Sequence, residues 1–388
     1  MKRLIIFLFL VTLVTIADAQ SVVVDARIVD AGTNEVLPNA TIFVNHEKST
    51  IANADGEFVI EAEPQEMLTI SYVGYKPVKI KAEHVGSVIK LSPYVVELSE
   101  VKVLPLKTIL EKVVSTLKNE MAIYKKQESN FYYRQTTHNN GECSEYIEAF
   151  LNGYSEVALR QPSIITGRYG ALKSTDTKTY SFVRNYYVMS CISPYRPQKG
   201  SKRKVILPLM PNSENLYHVD YDILSDKAQD KVLYKIVFTP HADVKKPIVR
   251  GVIYVDADTY KILKYEGDIL NCDIIIYFYK ERVASDHSFS VTYTYQRGFM
   301  EVQSVISKGS YSVHGVLVNI NSTLVNVGRK YYKGKKKLSR DSNLRNKISS
   351  VDYDAKFWND NTIIKRTPME EEVVKMFEKD NIFSNMTD

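Results

Sequence analysis

The chain has 388 residues, of which 44% are hydrophobic and 25% are charged, and its formal net charge is +6 at pH 7. This length is typical of two or three domains, and so mild a positive charge does not indicate nucleic-acid binding. The three cysteines, Cys143, Cys191 and Cys272, are widely spaced and form neither a disulfide framework nor a zinc-binding pattern. One alternative stays open, a single disulfide bond between Cys143 and Cys191.

Residues 1–19 have the pattern of a secretory signal peptide. A Lys-Arg pair precedes an apolar run over residues 4–16, and residues 17–19 are Ala-Asp-Ala, the small-x-small site that signal peptidase accepts. The apolar run is shorter than the roughly 20 residues that a bilayer-spanning helix needs. We therefore expect a cleaved, exported chain that begins at Gln20 and has no transmembrane segment.

The region after the leader shows short strands separated by turn residues. The predicted strands cover residues 22–29, 41–44, 57–60, 67–73, 78–81 and 87–91. Between them, residues 53–56 form a tight Asn-Ala-Asp-Gly turn in which Gly56 can adopt positive φ. Strands this short, with no helical pattern between them, predict a small β-sandwich.

Four segments of this region resemble the carboxypeptidase-regulatory-like domain. They are residues 28–42, residues 52–58, the Ile-Ser-Tyr-Val-Gly-Tyr run at 70–75, and the Leu-Ser-Glu-Val-Lys-Val run at 98–103. The chain departs from the family pattern at Asn53 and Ala54, where Thr and Asp are usual, but Gly56 preserves the turn.

The resemblance implies a transthyretin-like, seven-stranded β-sandwich over residues 20–104. It also implies a setting, the cell envelope of the Bacteroidota, where such domains commonly precede the plug of TonB-dependent outer-membrane transporters. The family is not a peptidase family, and its role is interaction or scaffolding. Consistent with that role, His46 and His84 have no second zinc ligand at useful spacing.

Residues 105–388 are predicted to form a second domain that begins with a helix. Apolar residues recur at steps of three and four over residues 106–124, which indicates an amphipathic helix that faces a core. Alternating strands follow, most clearly the pair at residues 251–256 and 260–266, which predicts a hairpin. The fold class is therefore mainly β, a sandwich followed by an α+β domain with a large antiparallel sheet and flanking helices.

A helix followed by a long meander with an Asp-x-x-Thr-x-x-Ile turn at residues 256–262 resembles the LolA-like half-barrel of lipoprotein carriers. That resemblance implies an apolar groove between the sheet and its helices. The alternative is a plain sheet packed on its helix without a groove. Near the end of the chain, residues 368–379 have the pattern of a capped helix, and Phe357 and Trp358 are expected to anchor the tail.

No motif for catalysis or cofactor binding is recognisable. The sequence contains no Gly-x-Ser-x-Gly elbow, phosphate loop or dinucleotide fingerprint, and we predict no catalytic residues, no cofactor and no metal site. Two His-x-Asp pairs, His218 with Asp220 and His241 with Asp243, are the candidates for a weak base or metal site. Chance produces such pairs easily.

Two basic runs are candidates for contact with an anionic surface. Their residues are Lys202, Arg203, Lys204, Lys335, Lys336 and Lys337. They form either solvated loops or contacts with anionic lipid headgroups and lipopolysaccharide phosphates.

These observations favour a non-enzymatic exported envelope protein, in the periplasm or associated with the outer membrane. It would bind a partner or an amphiphilic ligand and support outer-membrane biogenesis or uptake. The expected partners are outer-membrane proteins, lipid or lipopolysaccharide, and not nucleic acid. Two alternatives stay open, a secreted glycan hydrolase and a structural or adhesive surface protein.

The leader generates a direct prediction. Intact-mass analysis of the protein from its native envelope fraction should give a chain that begins at Gln20. Recovery of the protein only from the cytosol, with residues 1–19 retained, would contradict export.

Overall fold

The computed structural model describes residues 21–44, 48–96, 104–122, 128–155, 159–172, 193–195, 205–226, 230–276, 281–295, 298–328, 336–337, 344–348, 351 and 353–383. These residues fall into two compact units. The first unit comprises the chain up to Tyr72, Pro77–Leu91 and Ile363–Lys365. The second comprises Val73–Lys76, Ser92–Thr362 and the residues from Arg366 onward.

The first unit is a seven-stranded β-sandwich, as the family resemblance implies. Its strands are β1 Val22–Asp30, β2 Thr41–Phe43, β3 Ser49–Ile51, β4 Glu57–Ala62, β5 Met67–Ser71, β6 Val78–Lys81 and β7 Val88–Leu91. One sheet has the order β4-β1-β7 and the other β3-β2-β5-β6. Only β1 and β7 pair in parallel. Ile28, Ile42 and Phe58 are fully buried and form part of the core.

The tight turn at residues 53–56 takes the form that the sequence predicts. The Asn53 side-chain oxygen accepts hydrogen bonds from the backbone N–H groups of Asp55 and Glu57, both at 2.9 Å. Gly56 has a φ of 74°, and a Cβ there would lie 2.8 Å from the carbonyl oxygen of Ile28. Glycine is therefore required at this position, and Asn53 supports the turn where the family pattern has another residue.

The second unit is built on a long antiparallel sheet. Its strands are β8 Val95–Val96, β9 Glu128–Asn139, β10 Glu142–Ser155, β11 Leu159–Ala171, β12 Tyr217–Asp226, β13 Lys231–Pro240, β14 Ile248–Asp256, β15 Ile262–Leu270, β16 Asp273–Ile276, β17 Glu281–Thr294, β18 Glu301–Val313, β19 Val316–Gly328 and β20 Lys336–Lys337. The order is β20-β11-β10-β9-β19-β18-β17-β15-β14-β13-β12-β8, and β16 pairs with β17. The predicted fold class is confirmed.

Four α-helices accompany this sheet in the described part of the chain. They are α1 Leu106–Ala122, α2 Leu344–Ile348, α3 Ala355–Asp360 and α4 Pro368–Lys379. Helix α1 buries one apolar stripe, which includes Ile109, Val113 and Leu117, as the three-and-four spacing predicts. None of the helices in the described ranges combines the length and the apolar composition that crossing a bilayer requires.

The predicted hairpin is formed by β14 and β15. The Asp256 carboxylate accepts hydrogen bonds from the backbone N–H of Thr259 at 2.8 Å and from its hydroxyl at 2.7 Å. Asp256 is thus a turn residue, as its sequence context predicts. Gly251 and Gly267 face each other across the same hairpin, and a Cβ on Gly251 would lie 2.6 Å from the carbonyl oxygen of Glu266. The two backbones approach so closely that only glycine fits.

Candidate functional site

The sheet of the second unit buries residues on both of its faces where β9 and β10 lie. Alternate residues of a strand point to opposite faces. Tyr133 belongs to the apolar core that contains the buried stripe of α1, whereas Tyr132 packs against Phe150, which in turn contacts Trp358 of the C-terminal segment. We call these two sides the helix face and the tail face.

The helix face carries an apolar floor that continues through eight neighbouring strands, from β13 to β10 in sheet order. It consists of buried residues from each of these strands: Ile236, Phe238, Ile253, Tyr265, Phe289, Val291, Val302, Val305, Leu324, Tyr133, Ile147 and Ala149. A single helix, α1, contributes its own apolar stripe to the same core. Removal of this surface from water is the main force that holds α1 on the sheet.

Polar contacts fix α1 above the end of the β14–β15 hairpin. The Glu120 carboxylate accepts a hydrogen bond from the backbone N–H of Met300 at 3.0 Å and pairs with the Lys261 ammonium at 3.3 Å. The Lys112 ammonium donates a hydrogen bond to the Tyr260 hydroxyl at 3.1 Å. The helix is therefore held by specific bonds near its middle and near its C-terminal end as well as by apolar contact.

One end of the helix face is polar rather than apolar, and we call this group of Gln135, Thr137, Glu145 and Ser322 the polar end. All four side chains are at most 5% exposed. The Gln135 side-chain oxygen accepts hydrogen bonds from the Tyr133 hydroxyl at 2.6 Å and from the Ser322 hydroxyl at 3.1 Å. The Thr137 hydroxyl donates to the Glu145 carboxylate at 3.1 Å. An apolar floor and a buried polar end thus share one face of the sheet.

The tail face carries a buried ionic cluster centred on Glu148. Its carboxylate pairs with Arg168, whose Nε lies 2.7 Å away, with Arg134 at 3.1 Å and with Arg366 at 3.7 Å. The hydroxyl of Tyr146 also donates to it, at 2.9 Å. Burial alone would raise the pKa of Glu148, but the charges of the three arginines outweigh burial and hold that pKa well below its ordinary value.

The same arginines bind the C-terminal segment. Arg134 pairs with Glu370 at 3.1 Å and Arg168 with Glu378 at 2.9 Å, both on α4. The Arg168 guanidinium also lies 4.9 Å from the ring centroid of Trp358, which is 1% exposed. The predicted anchoring role of this tryptophan is confirmed, and the cluster acts as the structural attachment of the tail.

The His-x-Asp pairs differ in their geometry. On β12, the His218 ring and the Asp220 carboxylate approach to 3.0 Å, but both side chains are largely exposed. His241 lies in the turn after β13, where its backbone N–H donates to the carbonyl of Leu216. Among the residues that the structure describes, no three His, Cys, Asp or Glu side chains are grouped to hold a metal ion.

The predicted anionic-surface residues are only partly within the described chain. Lys202, Arg203, Lys204 and Lys335 lie outside the described residues, as do Cys191, residues 1–19 and residues 98–103. The backbones of Lys336 and Lys337 form β20, which pairs with Ile164 and Ser163 of β11. The proposed contact with anionic headgroups stays a prediction.

Sequence reasoning missed both buried polar groups. The polar end was detectable in principle, because the residues that β9 places on the helix face change from aromatic at Phe131 and Tyr133 to polar at Gln135 and Thr137. The ionic cluster was not, because Arg134, Arg168 and Arg366 are far apart in the chain and no spacing rule connects them.

Two family models match the chain. Residues 26–103 match the CarboxypepD_reg-like domain, which confirms the resemblance inferred from the sequence. Residues 109–317 match a family of unknown function, DUF5686. No curated protein matches this sequence.

Three similar solved structures are distant in sequence. A LolA superfamily protein from Nitrosomonas europaea is 12% identical with a TM-score of 0.21, and the match covers 60% of this chain and 98% of that one. A DUF1329 family protein from Desulfovibrio piger gives the same four values. The MucA/MucB complex of Pseudomonas aeruginosa matches at 11% identity and a TM-score of 0.16, over 58% of this chain and 99% of that one. Scores this low carry no inference about the fold or the ligand of this chain.

The ionic cluster generates a stability prediction. Glu148→Gln leaves three buried guanidinium groups without their shared anion and should lower the free energy of unfolding by about 3–5 kcal/mol. Glu372→Gln, at an exposed position of α4, should change it by less than about 0.5 kcal/mol. Urea denaturation measures both.

The same measurement repeated at lower pH tests the cause. Because the pKa of folded Glu148 lies below its ordinary value of 4.5, its contribution is present above that value and is lost as the pH falls further. The wild-type protein should therefore lose more stability between neutral and acidic pH than Glu148→Gln. Equal losses would contradict the assignment.

Proposed function

The chain belongs to a family of unknown function, DUF5686, and we propose that it is a non-enzymatic envelope protein that binds an amphiphilic ligand on the helix face. In this proposal residues 105–388 form the binding domain, and residues 20–104 form an interaction or scaffolding domain. The predicted leader supports export to the periplasm or to the outer membrane.

One observation carries the proposal, namely the apolar floor beneath a single amphipathic helix. Binding sites for apolar small molecules are lined mainly by hydrophobic and aromatic side chains, with a few polar groups that fix orientation. The apolar floor supplies hydrophobic and aromatic side chains over eight strands, and the buried polar end supplies the polar groups. An acyl chain between α1 and the floor would replace part of the apolar packing that α1 contributes to this core.

The partner in this proposal is a membrane component. Lipid or lipopolysaccharide fits an apolar floor, and the basic residues Lys202, Arg203, Lys204 and Lys335–337 would contact its anionic headgroups at the membrane surface. The N-terminal sandwich would contact outer-membrane proteins. Delivery or uptake of an outer-membrane lipid is the role that unites these features.

The two buried acids of β10, Glu145 and Glu148, do not favour glycan hydrolysis. Such a reaction uses two carboxyl groups that flank one glycosidic bond. Glu145 and Glu148 are three residues apart on β10, so they point to opposite faces of the sheet. Glu148 is in addition engaged by arginines, which keep it ionised and unable to donate a proton.

Native mass spectrometry with lipid extraction tests the proposal on protein purified from its own envelope fraction. We expect the wild-type protein to carry a lipid. Val305→Phe adds bulk to the apolar floor and should reduce the bound lipid severalfold. Ile306→Phe is the matched control, because its side chain lies on the opposite face and is half-buried.

Circular dichroism of both variants establishes that they fold. Lipid-free wild-type protein, or an equal lipid content in the two folded variants, would contradict binding on the helix face.

A further inference from the structure

Tyr265 has a buried hydroxyl group without a hydrogen-bond partner in the part of the chain that the structure describes. The residue lies in the middle of β15 on the helix face, is fully buried, and packs edge-to-face against Phe289 with a centroid distance of 4.9 Å. Buried polar groups in proteins are nearly always hydrogen-bonded, so an orphaned hydroxyl in a core requires an explanation.

Three other tyrosines of the same core are satisfied by the protein itself. The Tyr133 hydroxyl donates to Gln135, that of Tyr217 to the carbonyl of Ile206 at 3.3 Å, and that of Tyr295 to the carbonyl of Ile262 at 2.9 Å. In this core, the fold thus supplies a hydrogen-bond acceptor within the protein for each of these three tyrosine hydroxyls. Tyr265 is the exception among these four.

The surroundings of Tyr265 are uncharged. Its direct neighbours across the strands on either side are Ile253 and Val291. Burial, and then the nearby hydroxyls of Tyr217 and Tyr293, raise the pKa of Tyr265 well above its ordinary value. No cation among the described residues contributes to this shift. A carboxylate beside Tyr265 would therefore be a buried charge without compensation, whereas a neutral acceptor would not.

The backbone next to Tyr265 holds its ring in one position. A Cβ on Gly251 would lie 3.4 Å from Cε2 of the Tyr265 ring, so the ring rests against this glycine. Gly251 pairs with Gly267, and neither residue has a side chain on the helix face. The sheet therefore holds the Tyr265 hydroxyl rigidly in place. A group that orients a ligand must be held in this way.

We propose that the Tyr265 hydroxyl donates a hydrogen bond to the ester carbonyl of an acylated lipid whose chain lies on the apolar floor. This inference rests on the proposed function and specifies its ligand as an ester-linked lipid rather than a free fatty acid or a plain hydrocarbon. The carbonyl supplies the missing acceptor without bringing a charge into the core.

Titrations of the delipidated full chain with two probes of equal heavy-atom number test this proposal. The probes are methyl hexadecanoate and nonadecane, both supplied from cyclodextrin. The wild-type protein should bind the ester about five- to tenfold more tightly than the alkane, the effect of one net hydrogen bond. Tyr265→Phe should remove this preference and leave alkane binding unchanged.

Tyr217→Phe is the matched control. It removes a buried hydroxyl of the same core that already has a partner in the Ile206 carbonyl and that belongs neither to the apolar floor nor to the polar end, so it should keep the preference for the ester. Thermal unfolding provides a second readout. Tyr265→Phe should leave the Tm of the ligand-free protein unchanged or raise it, because it removes an unsatisfied hydroxyl, whereas Tyr217→Phe should lower the Tm.

The outcomes separate this inference from the proposed function. If neither probe binds the wild-type protein, the proposed function, binding of an apolar ligand on the helix face, is wrong. If both probes bind equally, or if Tyr265→Phe keeps the ester preference, the role of Tyr265 is overturned and the apolar site stands. Tighter binding of hexadecanoate than of its methyl ester would overturn the assignment of a neutral ester.

Discussion

The second unit depends on one constraint, the burial of both faces of the same strands. Residues 129–137 of β9 are all buried, although successive residues point to opposite sides of the sheet. A strand in that position needs a cover on each side. Helix α1 provides one and the C-terminal segment with α3 and α4 provides the other. Because each cover packs on its own face, the two can differ in chemistry. The tail is held by charge pairing, and α1 is held mainly by apolar contact.

The tail face is covered by charge pairing. Placing Glu148, Arg134 and Arg168 in a dry interior costs a large desolvation free energy, which is recovered only where the charges are mutually compensated. The carboxylate of Glu148 and the two α4 carboxylates of Glu370 and Glu378 provide this compensation. Such a cluster specifies where the tail attaches, and its charged groups are paired with one another. We therefore assign it to structure and not to ligand binding.

The helix face is covered mainly by apolar contact, which is non-directional and can be exchanged for contact with another apolar group. This difference is the physical basis for placing the ligand there. The face also contains groups that a purely structural core does not need, namely the polar end around Gln135 and the unpartnered hydroxyl of Tyr265. Both features are consistent with a ligand that is apolar over most of its length and polar at defined points.

Much of the fold was predictable from local pattern. The three-and-four spacing of α1, the alternation of the β14–β15 hairpin and the Pro-acid-Lys arrangement of α4 are each encoded in a short window, and each prediction is confirmed. The sandwich followed from the motifs around Gly56 and residues 70–75. The candidate site was not predictable, because it depends on strand order: Tyr265 lies beside Phe289 only because β15 pairs with β17.

Hydrogen exchange with and without bound lipid tests most directly the central claim that the two faces have separate roles. Addition of the lipid should change the protection of α1 and of the strands that form the apolar floor, from β13 to β10 in sheet order, and should leave α3 and α4 unchanged. A change confined to α3 and α4 would contradict the assignment of the ligand to the helix face.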